Sequence, residues 1–185
     1  MALLLSAVLA GVPSVALAAD NQATGDVADV AADLVDSNVL SLNATTLGLV
    51  KQARDLAGTV LPDGGDVSPG QEIYFVLFVD NPTSVPAADL RITDLLDESQ
   101  FAYVDDSLEQ TVVATGSDDA TIWAGAWTTL TDVVGGPDDG ASSTDSGGPA
   151  GRDRITVGAE PAQANLPVDV PALSIRAIRF RVTVN

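Results

Sequence analysis

The stretch Glu72-Ile73-Tyr74-Phe75-Val76-Leu77-Phe78-Val79-Asp80-Asn81 holds seven apolar residues in a row. Successive side chains of a strand point to opposite faces, so a strand covering one side of a two-layer sheet alternates apolar with polar. This one does not alternate. Ile73, Phe75, Leu77 and Val79 make one face and Tyr74, Val76 and Phe78 the other, which predicts a strand that needs apolar cover on both sides. If the domain begins near Thr46, the second face leaves roughly a few hundred Å² of apolar surface open, a size that marks an interaction site. Burying three such side chains contributes about 5 kcal/mol, enough to recruit a segment.

Around this run the chain reads as β structure. The composition is 46% hydrophobic but only 4% aromatic, so the core is built from Val, Leu, Ile and Ala. Turn signals at Pro62-Asp63-Gly64-Gly65, Ser68-Pro69-Gly70 and Asn81-Pro82 punctuate short apolar segments at strand spacing. Strands are expected at residues 88–94, 101–104, 108–114, 120–130 and 154–158. Within the fourth of these, Trp123 and Trp127 share a parity and so one strand face. The cleanest alternation closes the chain, with Ile178, Phe180, Val182 and Val184 inward and Arg179, Arg181 and Thr183 outward. About seven short strands with turn-rich connections predict an all-β antiparallel sandwich over residues 46–185, with Phe75, Leu77, Ile92, Phe180 and Val182 in its core. The Gly-, Ser- and Asp-rich segment 134–153 is expected to be a flexible loop.

The N-terminal part differs. Residues 1–18 read as a secretory signal, an apolar run broken at Gly11-Val12-Pro13 and closed by the small-residue site Ala16-Leu17-Ala18, though without a positive start. Residues 19–45 form a leader. Val27, Val30, Ala31, Leu34 and Val35 recur at helical spacing across residues 26–38, which suits a short acidic amphipathic helix or an unfolded leader. Leu40, Leu42, Leu47 and Leu49 lie in short pieces with extended propensity, suited to act as a donor strand.

Net charge is -18, with 26 acidic residues against 8 basic ones. Nucleic acid and anionic membranes would repel such a chain. There is no His and no Cys, which removes thiol and imidazole nucleophiles, the usual zinc ligands and the commonest general base. No disulfide can staple the fold, so packing alone must hold it. Asp145-Ser146-Gly147 carries the letters of an aspartic-protease triplet, but its flanks are polar rather than the rigid apolar strands that two proton-sharing carboxylates need. The pairs Asp63/Asp66, Asp105/Asp106, Asp118/Asp119 and Asp138/Asp139 offer oxygen ligands suited to calcium, yet none matches the ligand spacing of a calcium loop, and solvated turn residues account for them more simply. Asn43-Ala44-Thr45 is a glycosylation sequon.

The ordered series Leu49-Val50-Lys51, Val67-Ser68-Pro69-Gly70-Gln71-Glu72, Asp80-Asn81-Pro82-Thr83, Leu90-Arg91-Ile92-Thr93-Asp94 and Phe101-Ala102-Tyr103-Val104 resembles the bacterial and archaeal surface repeat called domain of unknown function eleven. The resemblance covers roughly residues 49–108 and 155–185. It implies an immunoglobulin-like β-sandwich outside a cell, with no catalytic residues and no cofactor to carry over. The chain departs from that family's pattern in having one copy and in a strand apolar on both faces. The expectation is therefore a non-catalytic secreted or cell-surface structural protein with no small-molecule substrate. Its partner would be a second copy or a neighbouring surface protein, met through Tyr74, Val76 and Phe78 and the strand-forming leader. With an export signal at its start and no anchor after its closing strand, the chain suits a filament subunit. The alternative is a monomeric surface module that binds calcium or carbohydrate.

Overall fold

The computed structural model describes residues 18–21, 24–25, 35–36, 40–43, 47–133, 140–145, 152–160 and 165–185. The chain divides into two compact units, Met1–Thr46 and Leu47–Asn185.

In the first unit, β1 (Ala18–Asn21) pairs antiparallel with β4 (Leu40–Asn43), which sets Leu40 opposite Asn21, Leu42 opposite Ala19 and Asn43 opposite Ala18. A shorter pair joins β2 (Thr24–Gly25) to β3 (Val35–Asp36). At Val35 and Asp36 the chain is thus strand, and the helical alternative does not hold there. Both residues are weak helix formers, and a helix so short is marginal in water without a packed face. The remainder of that stretch, and the signal segment before Ala18, lie outside the described residues.

The second unit is an all-β antiparallel sandwich. Its elements are β5 (Gly48–Arg54), β6 (Val60–Leu61), β7 (Glu72–Asn81), β8 (Ala87–Leu90), β9 (Ile92–Asp97), β10 (Phe101–Tyr103), β11 (Glu109–Ala114), α1 (Asp119–Ala124), β12 (Thr128–Thr129), β13 (Ala141–Thr144), β14 (Arg152–Val157), β15 (Val168–Val170) and β16 (Ser174–Val184). One sheet runs in the order β12-β11-β16-β7-β5-β6, with β10 also paired to β16. Facing it are the sheet β13-β14-β9 and the pair β15-β8.

The first sheet is centred on its two longest strands, β7 and β16. They pair along ten positions, from Ser174 opposite Asn81 to Thr183 opposite Glu72. The alternation of β16 turns Ile178, Phe180 and Val182 inward, where Ile73, Leu77 and Val79 of β7 join them. Ile92, Leu96, Ile155 and Val157 close the core from the other sheet. Phe75 stacks edge-on against Phe101 with ring centroids 5.2 Å apart. At the end of β7 the turn Asn81-Pro82 is fixed by a buried side chain: Asn81 Nδ2 faces the carbonyl oxygens of Val85 at 2.8 Å, Pro171 at 3.1 Å and Val170 at 3.2 Å.

Two sequence expectations are corrected here. Residues 120–130 do not form one strand but α1 followed by the two-residue β12. The expected loop 134–153 contains β13 and the first residues of β14. Ser142 and Ser143 have little strand propensity of their own, and pairing with Thr156 and Ile155 holds them extended.

Candidate functional site

The outer face of β7 is not open. Val76 is fully buried and Phe78 is 9% exposed, because Ile122 of α1 packs on them together with Ile175 and Ala177 of β16. Tyr74, Val113, Trp123 and Trp127 fill in around that cluster. The expectation that Tyr74, Val76 and Phe78 form a binding surface is therefore overturned: the sandwich domain covers its own second face. The cover forms locally. Asp118 caps α1 by accepting a hydrogen bond at 2.7 Å from the Thr121 N–H, and the Gly125 N–H closes the other end on the Ile122 carbonyl. A helix of six residues has no stability alone, so the apolar contacts of Ile122 and Trp123 hold it.

Two arginines bind that cover to the sheet. Arg54 is 2% exposed. Its Nη1 donates to the Gly58 carbonyl at 2.9 Å, and its Nη2 donates to Gln52 Oε1 and to Asp119 Oδ2, each at 2.7 Å. Arg179, read from the sequence as simply outward, lies 4.0 Å from the Trp127 ring centroid, 4.6 Å from that of Trp123 and 5.0 Å from that of Tyr74. Its Nε donates to Glu109 Oε2 at 2.7 Å. A cation over several ring faces is attracted by each ring's quadrupole, so the two tryptophans here are pinned packing groups.

On the flank of the sandwich β5 is an edge strand. It pairs with β7 from Gly48 to Arg54, whereas β6 meets it only at Ala53 and Arg54. Residues 48–52 thus have no second neighbour among the described strands. Leu49 is 60% exposed and Val50 43%; Leu47 is half-buried against the core. Parity with β7 sends Leu49, Lys51 and Ala53 inward and Val50, Gln52 and Arg54 outward. Lys51 reaches across to β9, the edge of the facing sheet, and lies 4.4 Å from the centroid of the Phe75 ring.

The acidic residues fall into separate places. Asp118 and Asp119 are the helix cap and the Arg54 partner described above. Asp63, in the turn after β6, and Asp66, in the irregular segment that follows it, are both exposed. Asp106 donates its backbone N–H to Asp132 Oδ2, and Asp138 and Asp139 lie outside the described residues. The sequence did not single out a different group: Glu98, Asp145 and Asp153, distant in the chain, bring carboxylate oxygens within 4.8 Å of one another. They line a cavity of about 460 Å³ with Tyr103 and Asp132. Burial pushes the Asp132 carboxyl above its ordinary range, partly offset by the Asp106 N–H and by the Tyr103 hydroxyl, which donates to Oδ1 at 2.8 Å. Burial and then that same hydrogen bond hold the Tyr103 phenol well above its usual value. Three carboxylates so placed have the oxygen chemistry of a calcium ligand set, but each already has partners within the protein. No spacing rule could have found them: Glu98 follows β9, Asp145 follows β13 and Asp153 lies on β14, and the pairing of these three strands brings them together.

Comparison with protein-family models, with curated proteins and with solved structures finds no match for the chain.

Proposed function

We propose that this chain is a non-catalytic structural protein of the cell exterior whose sandwich associates with neighbouring subunits by strand addition at a sheet edge. The observation that carries the reading is the open length of β5. A strand whose residues 48–52 have no second neighbour among the described strands, with Leu49 and Val50 exposed, is a template for another strand. The resemblance of residues 49–108 to an extracellular surface repeat and the signal-like residues 1–18 support the location. The leader remains a candidate donor, although β4, which carries Leu40 and Leu42, is already paired on one side by β1.

The test is light scattering on the full chain over a wide concentration range, with electron microscopy of the same samples. Strand addition predicts a mass that rises with concentration. A monomer at every concentration overturns the reading.

A second reading, a calcium-binding surface module, draws on the carboxylates of Glu98, Asp145 and Asp153. Calorimetric titration with calcium separates the two: micromolar binding abolished by Asp153→Asn supports the module.

A further inference from the structure

We infer that the partner of β5 is β5 of a second copy, paired antiparallel about a twofold axis at Val50, so that two sandwiches share one continuous sheet. This rests on the proposed association at the sheet edge and names its occupant. Charge supports the choice. In a protein of net charge -18, two copies repel at most of their surface. The strand Gly-Leu-Val-Lys-Gln-Ala-Arg of β5 carries no carboxylate, whereas β9, the other long flank, carries Asp94 and Asp97. Edge strand β13 has no charge, but the Ser143 N–H already donates to the Asp132 carbonyl. Among the described edges β5 is therefore the longest that a like-charged copy can approach.

The geometry is self-complementary. The open stretch 48–52 has Val50 at its midpoint, so a twofold axis there sets Val50 against Val50, Leu49 against Lys51 and Gly48 against Gln52. Such an isologous contact closes at two copies. It covers the two most exposed apolar side chains of the strand in each copy. The charged residues of β5 do not oppose it, because Lys51 is held by Asp94 and Arg54 by Asp119 within each domain.

Two consequences separate this pairing from the other occupants. The contact is made of backbone hydrogen bonds and apolar side chains while the repulsion is ionic, so salt strengthens it. Raising the salt to 1 M shortens the screening length to about 3 Å, and the dimer dissociation constant is expected to fall about tenfold or more between 0.1 and 1 M. Opposed residues of an antiparallel pair have Cα atoms about 4.5–5.5 Å apart, within disulfide reach. Because the chain has no cysteine, a single introduced thiol reports on one contact.

The experiment is mild oxidation of full-length Val50→Cys and, as control, Val112→Cys, a position of similar exposure on β11, with light scattering of the unsubstituted chain in low and high salt. Self-pairing predicts a closed dimer favoured by salt, cross-linking at position 50 at least about tenfold faster than at 112, and a monomer when Val50→Asp sets two carboxylates opposite each other at the axis. An open polymer without cross-linking at position 50 overturns self-pairing in favour of head-to-tail donation of the leader, and leaves the association reading standing. A monomer in all salts overturns both.

Discussion

Lys51 Nζ lies 2.6 Å from Asp94 Oδ2 and joins the edge strand of one sheet to the edge strand of the other across the open flank of the sandwich. The carboxylate is the more enclosed partner, with its side chain 12% exposed against 40% for the lysine. Here the inward-pointing charge closes the gap beneath β5 and is neutralised within the domain, on the face of the strand and not along its hydrogen-bonding edge. Removing the amine strands an enclosed carboxylate, so Lys51→Met is expected to destabilise the fold by about 1–3 kcal/mol. Lys51→Met combined with Asp94→Leu should recover most of that loss, because no charge then remains enclosed. Urea denaturation of the two variants checks both values.

Gly58 and Trp123 set how closely the helix cover can approach. Gly58 has φ +90, and a Cβ there would stand 2.1 Å from Trp123 Nε1. Gly58→Ala therefore meets both a strained backbone and an indole that cannot stay in place. The expected loss is about 2–3 kcal/mol, with tryptophan fluorescence shifted to longer wavelength as the ring moves into water. An unshifted spectrum at full stability would mean that the indole does not rest against this turn.

Arg54 and Asp119 divide their contributions unevenly. The Asp119 side chain is 48% exposed, so Asp119→Ala should cost no more than about 1 kcal/mol. Arg54→Met removes donors to Gln52, Gly58 and Asp119 from a buried position and is expected to cost about 2–3 kcal/mol. Equal losses in thermal unfolding would contradict this ordering.

The cap of α1 carries a pH dependence. Hydrogen bonding from the Thr121 N–H holds the Asp118 carboxyl below its ordinary range. A depressed carboxyl contributes stability that is present above its unfolded value, near 4, and lost as pH falls through the folded value. Asn caps helices about as well as Asp but does not titrate. Asp118→Asn should thus match the unsubstituted chain at pH 7 and lose less of its melting temperature as the pH is taken below 4. Asp132 works in the opposite sense: its raised value means that stability declines as pH rises from about 4 through the folded value. Melting curves of Asp132→Asn should lack that decline.

The strand pattern was legible where period and burial agree. The alternation from Ile178 to Val184 and the two-faced run in β7 led directly to the centre of the first sheet and to an all-β sandwich. What failed was the identity of the second cover. Trp123 and Trp127 are four residues apart, a spacing that shares a face both on a strand and on a helix, so the pair by itself does not separate the two. The local signal for the helix was present in Asp118 with Thr121 three residues on, the donor–acceptor spacing of an N-cap. Placing that helix over Val76 and Phe78 requires the long return from β11 to β16, which no local pattern encodes. The cluster of Glu98, Asp145 and Asp153 was hidden for the same reason. In contrast, Leu49 and Val50 were visible as an extended apolar piece, but only the pairing of β5 shows that one of its edges is open.

Hydrogen exchange of the backbone at residues 48–52, followed by mass spectrometry at low and high protein concentration in 1 M salt, tests the role given to β5 most directly. Amides on the β7 side of the strand should be protected at both concentrations. Those on the open side should exchange quickly in dilute protein and slow markedly in concentrated protein, while β7 itself stays protected throughout. Exchange at residues 48–52 that is the same at both concentrations would contradict association through this edge.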